Sequence, residues 1–203
     1  MLLFTHDHDW YVELRKRLPG KQWGFKVLLP WSDPTTGIRW DTSPHGFGAA
    51  QALLDSSPIS AANAARSVMD VEMPVIAERL EIPVPFIKGA RNDLRGAQDL
   101  LNRFQGRVSK CFRKKDAAGN HVACSDPAVL AKAVTDWLVT YGNRGSHGTY
   151  LTRTEAERLI AACDQFLSSL ECPDCQTALW HAADSDRSHL RCDCGAQRWM
   201  LSP

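Results

Sequence analysis

The sequence predicts a helix-rich α+β chain, on three observations. Apolar residues return every three or four positions through most of the middle of the chain, the period of helices that bury one face. Short apolar runs broken by proline and glycine occupy the first fifty residues, the pattern of brief strands and turns. Four of the seven cysteines sit in two close pairs after Glu171. The expected division is a short α/β segment over 1–50, a three-to-four-helix bundle over 51–170, and a cysteine-rich module over 171–203.

Bulk properties narrow the class. The chain has 203 residues, 44% apolar and 23% charged, enough for a real core in one or two domains. A net charge of +1 gives no global bias toward a polyanion, so any such surface has to be local. No apolar run approaches the roughly 18 residues of a membrane span, and no basic segment leads into a long apolar one at the start. An odd, clustered cysteine count points to metal ligation in a reducing compartment, not to a disulfide framework. A cytoplasmic protein without a membrane partner is the expectation.

Taken in order, Leu2-Leu3-Phe4-Thr5 reads as a short buried strand. Asp9 to Leu18 reads as a helix, with Trp10, Leu14 and Leu18 on one stripe. Pro19-Gly20 ends it, Trp23 to Leu29 reads as a second strand, and a third short strand is expected around Ile38-Arg39-Trp40. Ser57-Pro58 offers an N-cap and a proline at the first helical position, opening a helix with Ala61, Ala65, Val68, Met69, Val75, Ile76 and Leu80 inward. Pro74 predicts a kink or a break in it. A second long helix runs from Asp93 to about Phe112 on Ala97, Leu101, Phe104, Val108 and Cys111. A loop is expected over Asp116–Cys124. Ser125-Asp126-Pro127 starts a third helix with Val129, Leu130, Val134, Trp137, Leu138 and Tyr141 inward. Thr152-Arg153-Thr154-Glu155 is a capping box that opens a fourth on Leu159, Ile160, Cys163, Phe166, Leu167 and Leu170.

The strongest chemical signal is the pair of cysteine turns. Cys172 and Cys175 form a C-x-x-C, Cys192 and Cys194 a C-x-C followed by Gly195, with sixteen residues between the pairs. Each turn presents two thiolates with backbone amides nearby to stabilise their charge, and four thiolates complete a tetrahedral shell. The intervening residues suit a hairpin that brings the turns together. This arrangement resembles a zinc ribbon, with Cys172, Cys175, Cys192 and Cys194 holding a structural Zn2+. A closed shell leaves no position for catalytic water. It would staple a module of about 30 residues that is too small to bury a core alone. His181 and His189 then read as hairpin surface, and Cys111, Cys124 and Cys163 as core thiols.

The opening run Thr5-His6-Asp7-His8-Asp9 invites a metal reading, the H-x-H-x-D-H of metallo-β-lactamase-like hydrolases. That pattern fails here, since its aspartate and last histidine fall on Trp10 and Tyr11. The apolar strand ending in Thr5-His6-Asp7 and followed by an amphipathic helix resembles the terminal strand and switch histidine of RecF/SMC-like (ABC-type) ATPases. Ala64 to Phe86 (AARSVMDVEMPVIAERLEIPVPF) resembles the long helix that follows their core. The resemblance implies that His6 reaches the γ-phosphate of ATP. There is no G-x-x-x-x-G-K-[ST] loop, no Walker B strand and no signature loop to cradle phosphates. The expectation is an accessory or C-terminal part of such an ATPase, with ATP bound only if another chain completes the site. Such a chain would occur in bacterial defence or DNA repair. The bland alternative leaves His6 as a strand-end histidine.

Tyr141-Gly142-Asn143-Arg144-Gly145-Ser146-His147 resembles the R-N-x-x-x-H signature of HEPN domains, helical bundles that often cut RNA. Asn143 and His147 match; the arginine position is Gly142, and Arg144 leaves only two residues, Gly145 and Ser146, before His147, shorter than the usual spacing. The resemblance implies a HEPN-type ribonuclease with Arg144 and His147 as catalytic residues. Between Lys88 and Lys115 there are nine Lys/Arg against two Asp. Arg103, Arg107, Lys110, Arg113, Lys114 and Lys115 are the candidate contacts for DNA or RNA phosphates, against the plain reading of a solvated helix end. A third class is a zinc-dependent protein-interaction module.

Overall fold

The computed structural model describes residues 2–6, 10–11, 14, 23–29, 35, 37–41, 43, 45–88, 96–142, 150–177, 181–183 and 186–201. Their architecture is α+β and helix-rich. The helices are α1 (Gly48–Leu53), α2 (Pro58–Arg79), α3 (Ala97–Cys111), α4 (Asp126–Trp137) and α5 (Arg153–Ser169). The strands are β1 (Phe112–Lys115), β2 (His121–Ala123), β3 (His181–Ala183), β4 (Asp186–Arg191) and β5 (Gln197–Met200).

The four longer helices pack in a ring, α2 on α3, α3 on α4, α4 on α5 and α5 back on α2. Each is specified by an apolar stripe, and α2 and α5 also by a side-chain cap. Ser57 accepts the amide of Ser60 and Pro58 stands at the first position of α2, which buries Ala61, Ala62, Ala65, Met69, Met73, Ile76 and Ala77. Three small alanines on one face let the neighbouring helices approach closely. The helix continues through Pro74 without a break. The lost hydrogen bond and ring clash cost roughly 3 kcal/mol, and the buried Met73, Ile76 and Ala77 around the proline offset it. Helix α3 buries Ala97, Leu100, Leu101, Phe104, Val108 and Cys111, and α5 buries Leu159, Ile160, Cys163, Phe166 and Leu167, as their periodicity predicts. The Thr152–Glu155 capping box closes in both directions. On α4 the inward residues are Pro127, Ala131, Val134 and Thr135, whereas Val129, expected inside, is 66% exposed. A wider π-type turn over Leu138–Gly142 follows α4.

The segment after α3 departs from expectation. It is a β-hairpin and not a loop: Asp116 Oδ1 accepts the amides of Ala118 and Asn120, and Gly119 takes the left-handed conformation that closes the turn. The hairpin pairs with the C-terminal strands, giving one antiparallel sheet in the order β2-β1-β5-β4-β3. Phe112 lies opposite Trp199, and Trp199 opposite Leu190; these three are buried against the helices. One position along, Ala123, Arg113, Arg198 and Arg191 line up across β2, β1, β5 and β4 on the other face. One sheet and one core thus cross residue 171, the expected boundary between bundle and ribbon.

At the N-terminal end, Leu2 and Phe4 are exposed, and 2–5 form no strand among the described residues. Leu28 and Trp40 form an antiparallel bridge, with Leu29 N donating to Arg39 O and Asp41 N to Val27 O. Trp10, Tyr11 and Leu14 have helical backbone. No helix of the described residues is long and apolar enough to cross a membrane.

Candidate metal centre and basic sheet face

The two cysteine turns converge. The Sγ atoms of Cys172, Cys175, Cys192 and Cys194 all lie within 4.8 Å of one another and could hold a metal ion. All seven cysteines are free thiols. Sulfur ligands about 2.3 Å from one tetrahedral ion stand roughly 3.8 Å apart. The separations of Cys172 from Cys194, 3.5 Å, and of Cys192 from Cys194, 3.6 Å, match that spacing.

Local chemistry explains why each turn closes. Gln176 N donates to Cys172 O and Gly195 N to Cys192 O. Gln176 and Gly195 both take positive φ, 55° and 72°, so the chain reverses immediately after the second cysteine of each turn. Glycine adopts that conformation without strain; glutamine does so at a cost of about 1 kcal/mol. The two turns are tied by one residue that sequence reading missed. The Thr177 hydroxyl accepts the Asp193 amide at 3.0 Å and lies 3.0 Å from Cys175 Sγ, to which its proton can be given. Its carbonyl accepts the Cys172 amide. Gln197 does the same for Cys192, whose sulfur accepts the Gln197 amide at 3.2 Å, while Gln197 Nε2 reaches Glu171 O. No motif marks Thr177 or Gln197; they are recognisable only once the turns face each other.

The thiols are not equivalent. Burial pushes Cys172 up to about 12, against amide hydrogen bonds from Cys175 and Asp174 that pull it down. Cys175 is also raised by burial, but the Thr177 hydroxyl and the backbone amides of Cys194 and Thr177 outweigh that and hold it at about 6. Cys175 is thus the thiol whose surroundings favour the thiolate, and a cation at the centre would stabilise all four. His189, expected on the surface, is 6% exposed and lies beside the Ser188 hydroxyl.

Of the six basic residues expected to act together, Arg103, Arg107 and Lys110 lie on α3 and Arg113, Lys114 and Lys115 on β1. Arg103 pairs with Asp99 one turn earlier, and Lys114 faces Asp126 at 3.6 Å and the Phe112 ring. Arg107 donates to Leu201 O and so ties α3 to the end of β5. Lys110 is exposed on the last turn of α3. Arg113 and Lys115 lie on the outer sheet face, where Arg198 and Arg191 join them. His6 is exposed and lines a cleft of about 490 Å3 with Trp10, Trp23, Phe25, Lys26 and Trp40. Arg144 and His147 fall outside the described residues, as do Asp7, His8 and Asp9. No family model, curated protein or solved structure matches the chain.

Proposed function

We propose that the chain is a zinc-stapled, non-catalytic accessory module that binds nucleic acid. The observation that carries the reading is that the four-cysteine centre and a row of arginines belong to one sheet. Cys172, Cys175, Cys192 and Cys194 would hold Zn2+; soft thiolates in a four-fold set favour zinc over oxygen-seeking cations. The ion would supply rigidity, because Leu190 and Trp199 are the only large apolar side chains that the β3–β5 segment buries among the described residues. With four thiolates filling the shell, no open position remains for bound water, which argues against hydrolysis at this centre.

An ATPase partner that completes a nucleotide site around His6 extends the reading. Its support is the Thr5-His6-Asp7 run and the exposure of His6 beside an aromatic cleft. The HEPN-type ribonuclease reading rests on Asn143 and His147 in sequence.

The test is metal content and binding together. Elemental analysis of untagged protein should give one zinc per chain, absent from the Cys172→Ser/Cys175→Ser variant. Fluorescence anisotropy with a labelled 20-nucleotide single strand and a 20-base-pair duplex should show salt-sensitive binding by the zinc-loaded chain. A metal-free protein with a native fold, or no binding to either probe at 50 mM salt, would discard the reading.

A further inference from the structure

We infer that the outer face of the sheet is a phosphodiester-binding surface built on Arg113, Arg198 and Arg191, with Lys115 continuing it along β1. The inference rests on the nucleic-acid reading above and names the surface that performs it.

The first argument is positional. Arg113 lies directly opposite Arg198 on β5, and Arg198 directly opposite Arg191 on β4. Opposed residues on neighbouring strands have Cβ atoms about 5 Å apart, and like charges in that relation destabilise a sheet. Three guanidiniums in a row are the least favourable cross-strand choice unless an anion lies over them.

A second argument is the absence of compensation. Among the described residues, none of the three has a carboxylate partner. Some other cations of the molecule do, as Arg66 with Asp70 at 3.5 Å, Arg103 with Asp99 at 3.3 Å, Lys132 with Asp136 at 2.7 Å and Arg153 with Asp55 at 2.6 Å. The Nε atoms of Arg191 and Arg198 are moreover buried with no acceptor among the described residues.

The third argument is shape. Two interstrand steps of about 4.8 Å make the row roughly 10 Å long. Three axial rises of about 3.4 Å on one strand, the span of four successive phosphates, cover the same length. A linear array of planar, fork-shaped donors suits a repeating phosphodiester better than a single phosphoryl group. Lys115 continues the same face along β1, and His121, opposite it on β2, is tied to Gly195 O at 2.9 Å beside the cysteine turn. Arg191 also lies beside this turn, its guanidinium within 3.7 Å of the place where a Gly195 side chain would begin.

The experiment compares the zinc-loaded wild type with Arg113→Gln/Arg191→Gln/Arg198→Gln, and with Lys132→Gln as a control away from the row. Anisotropy of the same two labelled probes is measured from 50 to 300 mM salt. Losing three phosphate contacts should lower the slope of log K against log salt by about 2 on the single strand, or about 2.7 on the duplex. Lys132→Gln should leave it unchanged. If the triple variant does not fold, the single variants should each lower the slope by about 0.7 on the single strand. Thermal unfolding supplies a second readout: because repulsion is relieved, each single variant should melt at or above the wild-type temperature while binding more weakly.

Wild-type binding with an unchanged slope in the triple variant overturns the inference and leaves the nucleic-acid reading standing on another surface. No wild-type binding at all removes both. Arg191→Gln that loses zinc while the slope is kept would assign Arg191 to balancing thiolate charge, and also overturns the inference. So would binding of the wild type to vesicles containing anionic phospholipid and to neither oligonucleotide.

Discussion

Trp199 Nε1 donates to the carbonyl oxygen of Leu80 at 3.0 Å, in a site where both residues are almost fully buried. The bond joins the last strand of the sheet to the C-cap of α2. Its ring lies nearly parallel to Phe104 at 5.6 Å, and Phe104 meets Phe166 edge-on at 5.4 Å. Sheet, α3 and α5 are therefore held by one aromatic cluster, and the ribbon cannot come away without exposing it.

Replacing Trp199 by alanine should cost about 3–5 kcal/mol, from lost burial and the cavity left behind. Trp199→Phe should cost about 1–3 kcal/mol, since it leaves the Leu80 carbonyl without its donor. Urea unfolding followed by far-ultraviolet circular dichroism measures both. A wild-type midpoint in Trp199→Ala would show that ribbon and bundle do not share a core.

Thr177 bridges the two cysteine turns through a single hydroxyl. Thr177→Val keeps the shape and removes both hydrogen bonds. Zinc affinity, read by competition with a chelator at pH 7, should fall about 10–100-fold, the usual effect of losing a partner that orients a ligand. Thr177→Ser retains the hydroxyl and should stay near wild type.

Alkaline pH should weaken the fold through Cys163. Burial pushes this thiol from 9.0 up to about 12, with Asp164 adding to the rise. A raised pKa in the folded state means that the stabilisation is fully present below 9 and is lost as pH rises toward 12, because the unfolded chain ionises first. Between those limits the loss approaches about 1.4 kcal/mol per pH unit. Denaturant titrations at pH 8, 9.5 and 10.5 on wild type and Cys163→Ala should show a shallower pH dependence in the variant. Equal slopes would remove Cys163 as the cause.

Gly48 marks a close approach at the start of α1. Its amide donates to Asp41 Oδ2 at 3.2 Å and to Ser43 Oγ at 2.9 Å, and a Cβ there would overlap the Asp41 carboxylate. Gly48→Ala should therefore cost about 1–3 kcal/mol despite the better helix propensity of alanine. Differential scanning calorimetry checks the sign: a higher melting temperature would show that Asp41 can move aside freely.

Much of this molecule was legible in its sequence. Helices α2, α3 and α5 and their inward residues followed from periodicity, and α2 and α5 also from their caps, because a helix that buries one face repeats its apolar residues every three or four positions whatever lies beyond it. The four cysteines announced their turns because short ligand spacing is a local property. Tertiary structure alone decided the rest. The stretch after α3, polar and rich in turn residues, became a strand pair only because β5 offered its edge, and β pairing joins residues far apart in sequence. For the same reason Arg113 met Arg191 and Arg198 instead of Arg103 and Arg107, its neighbours along the chain. Sequence proximity grouped the charges by helix; cross-strand register, which no local pattern encodes, regrouped them by face.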